Sequence, residues 1–196
     1  MLYQKIGNLA DIKFCTISPS RAKEQDVLSK WLACANFLSD NTVLLDTVEN
    51  YNVPDDDWLL RQDDIVLKRI TPTFINYIDF IPENMYCGNN LIIISPSNQI
   101  YSRYLAMWLN DKVKDLSVTS SVGAVMKSIS RTDLEELEIP IPDYEKQVLL
   151  GNLWYDSIEL KKKKARLIEL EDMKNLYILN KYVHSLGGKE NGKDNI

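Results

Sequence analysis

The chain has 196 residues, 45% of them hydrophobic and 26% charged, with a formal net charge of −5; this suits one soluble domain, or one domain plus an extended element. No apolar run reaches the roughly 20 residues of a membrane span, and the start MLYQKIGNLADIK lacks the basic and apolar regions of a signal peptide, so a cytoplasmic protein is expected. Three widely spaced cysteines, Cys15, Cys34 and Cys87, form no CxxC pair and are expected to be free thiols of a reduced compartment.

In chain order, the broken alternation of Ile6, Leu9, Ile12 and Phe14 predicts a strand entering the domain, and residues 18–30 a polar loop or frayed helix. WLACANFLSD and NTVLLDTV are too short for periodicity to decide, and their β-branched content and flanking Asp-Asn favour strands. ENYNVPDDDW is a turn-rich loop. DDIVLKRI, from Asp63 to Ile70, is an acidic turn feeding an apolar strand. TPTFINYIDFIPENMYCGNN suggests a loop and a strand. NLIIISPS is the clearest buried strand, four apolar residues closed by Ser-Pro.

Ser102 is placed as a helix cap, because Tyr104, Leu105, Trp108, Leu109 and Val113 then recur at steps of three and four. SVTSSVGAVMKSIS, around Gly123, is a hydroxyl-rich loop that could become a short strand. Thr132-x-x-Glu135 fits a capping box opening a single turn. LEIPIP is extended, since a residue before proline is pushed out of the helical region; chain direction is thereby fixed at Pro140 and Pro142. Asp143 can cap the next helix, which meets Gly151 and then no Gly or Pro before Gly187. Leu153, Leu160 and Leu167 are seven apart, and Leu176, Leu179 and Val183 continue the seam. About 40 helical residues would run roughly 60 Å, and so narrow an apolar stripe needs a partner to cover it. The expected organisation is a globular domain over 1–142, a spacer helix over 143–186 and a disordered tail over 187–196.

The charge is unevenly spread. Residues 1–142 hold 13 Lys/Arg against 19 Asp/Glu, leaving 10 against 9 of the chain's 23 and 28 for the rest. An acidic globular part argues against a non-specific coat for nucleic acid. Two stretches depart from it: Ile65 to Ile78 holds Lys68 and Arg69 with no acid, and Lys112 to Arg131 holds four cations against Asp115 alone.

The catalytic inventory is nearly empty. The one histidine, His184, lies near the end of the helix, so His-based triads and His metal sites have no material. No GxGxxG or GxxxxGK[ST] loop is present, nor an Asn/Asp-Pro-Pro-aromatic turn for base methylation. Glu159-Leu160-Lys161 and Asp172-Met173-Lys174 have the Glu/Asp-x-Lys spacing of metal-dependent nucleases, but such spacing arises by chance in any Glu/Lys-rich helix. Lys161 to Lys164 fit a solvated helix face better than a DNA grip. The abundant Tyr and Trp fit a core or an interface better than base-stacking platforms. The chain is expected to recognise something without being an enzyme.

The order LRQDDIVLKR, then NNLIIISPSNQIYSRYLAMWLN, then SSVGAVMKSISRTDLEELEIPIPDYEKQ, then a charged leucine-rich helix resembles one half of a specificity subunit of a type I restriction-modification system. The resemblance spans roughly residues 58–180 and rests on the order of its pieces: the acidic turn at Asp63-Asp64, with Asp63 where the family usually has Gly, the strand Ile65 to Leu67, the helix, Gly123-Ala124, and the joint formed by Asp133, Leu134, Leu137, Ile139 to Pro142 and Gln147. It implies a mixed α/β target-recognition domain followed by a long helix that forms an antiparallel coiled coil with a second unit. The helix would hold two recognition domains a set distance apart, so the target is a split sequence. Its implied partners are double-stranded DNA, a methyltransferase subunit that modifies adenine with S-adenosylmethionine, and a restriction (motor-nuclease) subunit that can join. No cofactor is expected in this chain.

Specificity subunits of that family carry two recognition domains and two helices, whereas this sequence has room for one of each and no internal repeat. A half-subunit that pairs with itself through Leu153, Leu160, Leu167, Leu176, Leu179 and Val183 is expected, with a two-fold symmetric site; a truncated gene or pairing with a different half stand beside it. The Pro-x-Pro joint would keep the reading domain from swivelling on its spacer. Base reading needs side chains that reach groove edges, which nominates Lys68, Arg69, Thr71, Thr73, Asn76, Tyr77, Thr119, Ser120, Ser121 and Lys127. Two other classes remain: a coiled-coil oligomerisation protein without DNA specificity, and a stand-alone nuclease using Glu159 and Lys161.

Overall fold

Two unbroken apolar runs dominate the first part of the chain, and both become strands buried on both faces. The computed structural model describes residues 2–18, 28–52, 57–118 and 129–187. Strands are β1 (Leu2–Lys5), β2 (Ala10–Phe14), β3 (Leu28–Leu32), β4 (Glu49–Asn52), β5 (Ile65–Lys68), β6 (Phe74–Tyr77), β7 (Met85–Cys87), β8 (Leu91–Pro96) and β9 (Glu138–Ile141). The helices are α1 (Ser102–Val118), α2 (Arg131–Glu135) and α3 (Tyr144–Gly187). A mixed α/β fold followed by a long C-terminal helix is what the sequence pattern predicts.

The central sheet has the order β2-β8-β5-β6, antiparallel throughout, with Ile65 opposite Ile94 and Tyr77, and Lys68 opposite Leu91 and Phe74. Successive strand side chains point to opposite faces. Ile65, Leu67, Ile92 and Ile94 therefore join Tyr104, Leu105, Ala106, Leu109 and Val113 of α1 in one core, while Val66, Leu91 and Ile93 join Trp31, Leu32, Met85 and Cys87 in another. Covering both faces explains why IVL and LIII show no polar alternation. The second core lies with a smaller sheet of order β4-β3-β7, in which β3 runs parallel to β7 and antiparallel to β4.

WLACANFLSD and NTVLLDTV contain less strand than expected. β3 ends at Leu32, a 3₁₀ turn follows at Cys34–Asn36, and a single bridge joins Phe37 to Val43. This loop protects the edge of β6. Asn41, at φ 66°, accepts from the Tyr77 amide and donates to the Tyr77 carbonyl (3.2 Å), standing in for a neighbouring strand. Asn tolerates that backbone region because its short side chain can bond locally.

The acidic turn before β5 keeps the geometry for which a glycine is usual. Asp63 has φ 70°, and its carboxylate accepts from the Tyr77 hydroxyl. The Asp64 carboxylate accepts from the Arg61 amide at 2.8 Å. Burial raises the Asp64 carboxyl above the ordinary aspartate range.

α2 corrects one expectation. Its cap is Ser130, whose hydroxyl accepts from the Asp133 amide at 3.1 Å, with Asp133 closing the box, rather than Thr132 with Glu135. The frame slips because the helix starts at Arg131, and two overlapping capping patterns cannot be told apart without the backbone. Likewise Ser102 is the first residue of α1, and the Tyr101 carbonyl receives the amides of Tyr104 and Leu105, both at 3.0 Å.

LEIPIP forms β9, which pairs antiparallel with β1, Leu2 facing Ile141 and Lys5 facing Glu138. Tyr104 donates to the Pro140 carbonyl at 2.7 Å, and the buried Gln147 side chain donates to the Pro142 carbonyl at 2.9 Å while accepting from the Tyr101 amide at 3.0 Å. The compact unit extends to Tyr155, inside α3, and a second unit begins at Asp156. The first three turns of α3 thus belong to the domain. In the second unit the seam residues Leu160, Leu167, Leu176, Leu179 and Val183 are exposed. The expected tail beyond Gly187 lies outside the described residues. Cys15 and Cys87 are buried and Cys34 half-buried, all three as free thiols.

Candidate nucleic-acid interface

The central sheet is electrically lopsided along its strands. At one end β5 is preceded by Asp63 and Asp64, and Asp79 follows β6. At the other end β5 closes with Lys68 and runs into Arg69. Lys68 Nζ stands 5.1 Å from the centre of the Phe74 ring, its cross-strand neighbour. Such contacts hold a cation over an apolar surface without cancelling its charge.

Arg69 is fixed more tightly. Its amide donates to the Asn90 carbonyl at 2.9 Å, its Nε donates to the Ile129 carbonyl at 3.1 Å, and its guanidinium lies 5.6 Å from the Phe14 ring centre. Arg131, 62 positions later in the chain, has its guanidinium 4.9 Å from the same ring. Its Nη1 donates to the Ile12 carbonyl at 2.7 Å and to Glu135 at 3.2 Å. Arg69 of one acid-poor stretch and Arg131 of the other therefore meet at one end of one sheet.

Of the nominated residues, Lys68, Arg69, Thr71 and Thr73 sit at this end, Thr71 exposed and Thr73 half-buried beside a cis Thr71–Pro72 peptide. Asn76 and Tyr77 do not present reading groups. Asn76 is 1% exposed and its amide donates to the Leu38 carbonyl at 2.9 Å, while Tyr77 is 4% exposed and bonded to Asp63. Burial and the Asp63 bond push the Tyr77 hydroxyl well above the usual tyrosine range. Both lie on β6, where β-branched and aromatic neighbours made strand and loop indistinguishable from sequence. Thr119, Ser120, Ser121 and Lys127 lie outside the described residues, in the segment that re-enters at Ile129.

Phe14 and Arg131 were not nominated. Arg131 carried a signal, as the last cation of an acid-poor stretch, whereas nothing local marks Phe14, whose role comes from the β2–β8 pairing. Among the described residues no group of three or more His, Cys, Asp or Glu could hold a metal ion. Glu159 accepts from Lys162 at 2.9 Å in an ion pair along one helix face. No described helix is long and apolar enough to cross a membrane.

The type I restriction modification DNA specificity domain model matches residues 3–172. The chain belongs to that family.

Solved structures agree on the fold. One, from work on complex assembly and conformational transition of the type I restriction-modification system, has a TM-score of 0.67 at 19% identity over 91% of this chain and 43% of that one. The HsdS subunit from Thermoanaerobacter tengcongensis gives 0.60 at 20% identity, over 82% and 37%. The type I S subunit from M. genitalium gives 0.54 at 16% identity, over 88% and 44%. The chain thus spans less than half the length of each. No curated protein sequence matches it.

Proposed function

We propose that this specificity-domain chain is the DNA sequence-recognition part of a type I restriction-modification complex and reads one half of a split target. The observation that carries the reading is the meeting of Arg69 and Arg131 over Phe14 at one sheet end, where Lys68 lies over Phe74 on the other face and Thr71 is exposed. Lys reads guanine and Thr packs on the thymine methyl, while arginines also hold the phosphates that set a protein's register on the duplex. The domain's overall acidity favours recognition by a few placed contacts over a general electrostatic grip.

The chain itself performs no chemistry in this reading. A methyltransferase subunit docks on it, binds S-adenosylmethionine and modifies adenine within the site, and a restriction subunit can join. Two copies pair through α3, the exposed seam from Leu153 to Val183 forming an antiparallel coiled coil. Covering a leucine stripe of that length supplies the association energy, and a two-fold pair reads a two-fold split sequence.

The test is a methylation map. The chain is expressed beside its methyltransferase subunit, with a control lacking it, and host DNA is sequenced for modified adenine. A symmetric split motif that depends on this chain is expected. An asymmetric one would replace self-pairing by pairing with a different half, and no dependent motif would overturn the reading.

A further inference from the structure

The functional reading leaves one arrangement unused. Two arginines far apart in sequence share one aromatic ring, and each is pinned by a backbone carbonyl from a different element: Arg69 by Ile129, Arg131 by Ile12. An exposed arginine ordinarily keeps much of its rotamer freedom and loses it on binding, which weakens the contact. Here the ring and the carbonyls have removed that freedom in advance.

We infer that Phe14, Arg69 and Arg131 form a preorganised clamp for the DNA sugar-phosphate backbone, with Phe14 as the positioning residue and the two guanidiniums as the phosphate contacts. The inference rests on the DNA-reading function proposed above and assigns its backbone contacts. A guanidinium offers five donors in a planar fork, so it can bond protein groups and an anion at once, as Arg131 Nη1 already serves both the Ile12 carbonyl and Glu135. Fixing an arginine to two protein partners makes it a poor searcher of base edges and a good register pin, the role phosphate contacts have in duplex recognition. Lys68 and Thr71, one and two residues from Arg69, are then held over the groove that the clamp aligns. Arg69 also ties this end of the sheet to Ile129.

The clamp is tested on the full chain with fluorescent random-sequence and target-containing duplexes, titrated across a salt series that begins low. R131Q and R69Q are each expected to weaken both duplexes about three- to tenfold and to reduce the slope of log affinity against log salt by about 0.9. F14L keeps an apolar residue in β2 and loses the ring. It is expected to lower affinity and slope as much as either arginine variant, and R131Q added to F14L should then cost little more. F14Y retains a ring and should restore wild-type slope. Thermal melts of every variant separate lost folding from lost binding: R131Q and R69Q variants that melt like wild type yet keep its affinity and slope would overturn the clamp while leaving DNA reading intact. A wild-type chain that binds neither duplex, alone or with its methyltransferase subunit, would overturn both.

Discussion

Gly151 of α3 lies against the backbone of Tyr104 in α1, so close that a Cβ at Gly151 would stand 2.6 Å from the Tyr104 amide nitrogen and 2.9 Å from the Arg103 carbonyl carbon. This glycine is what lets the first turns of the long helix dock on the domain. Around it, Asn152 Oδ1 accepts from the Tyr101 hydroxyl and from Arg103, both at 2.9 Å, and the Arg103 guanidinium lies 4.1 Å from the Tyr155 ring centre. Gln147 completes the joint by bonding both Pro142 and Tyr101. The Pro-x-Pro strand sets the chain direction, and these side chains hold the helix start.

In an exposed helix, Gly→Ala stabilises by up to about 1 kcal/mol through helix propensity. At Gly151 the sign should reverse, because the methyl meets backbone that cannot swing away. G151A is expected to destabilise the domain by about 1–3 kcal/mol, read as a lower midpoint in urea melts. A variant as stable as wild type would mean that the helix start moves freely on α1.

Asn41 stands in for a strand at the edge of β6. N41A would leave the Tyr77 amide and carbonyl without their side-chain partner and place Ala in a left-handed conformation it resists. A loss of about 2–4 kcal/mol is expected, with hydrogen exchange at Tyr77 rising first. Exchange unchanged at that amide would remove the edge-guarding role.

Asp64 gives a pH signature. Its carboxyl is raised in the folded domain, chiefly by burial, so the folded state holds this proton more tightly than the unfolded chain does. That contribution is full below the ordinary aspartate value of about 3.9 and is lost as pH rises through the raised value. The wild-type advantage over D64N should therefore shrink as pH rises from about 3.9 through the acid range. Urea melts across that range check it, and an advantage that grew with pH would reverse the sign.

The seam of α3 predicts an assembly. Leu160 and Leu167 are more than half exposed, at 53% and 56%, so their replacement costs a folded monomer little. L160K/L167K is expected to turn a dimer into a monomer in sedimentation velocity without moving the melting of the domain. A wild-type chain that sediments as a monomer at all concentrations would reject self-pairing.

What the sequence determined by itself follows from period and order. Strands β5 and β8, the face of α1, the extended joint and the long helix were legible because runs such as IVL and LIII, and leucines at steps of three, four and seven, leave few ways to bury their apolar surface. The family was legible because the order of those pieces is more specific than any one of them. Tertiary structure decided what local pattern cannot encode. It put Tyr77 inside on the β6 face covered by α1 and guarded at its edge by Asn41, and Asn76 inside on the opposite face, bonded to the Leu38 carbonyl. It gave Gly151 its purpose through a helix 47 residues earlier in the chain. It brought Phe14, Arg69 and Arg131 to one sheet end through the pairing of β2 with β8 and β8 with β5. Each of these depends on contacts between residues distant in sequence, and such contacts exist only once the strands have paired.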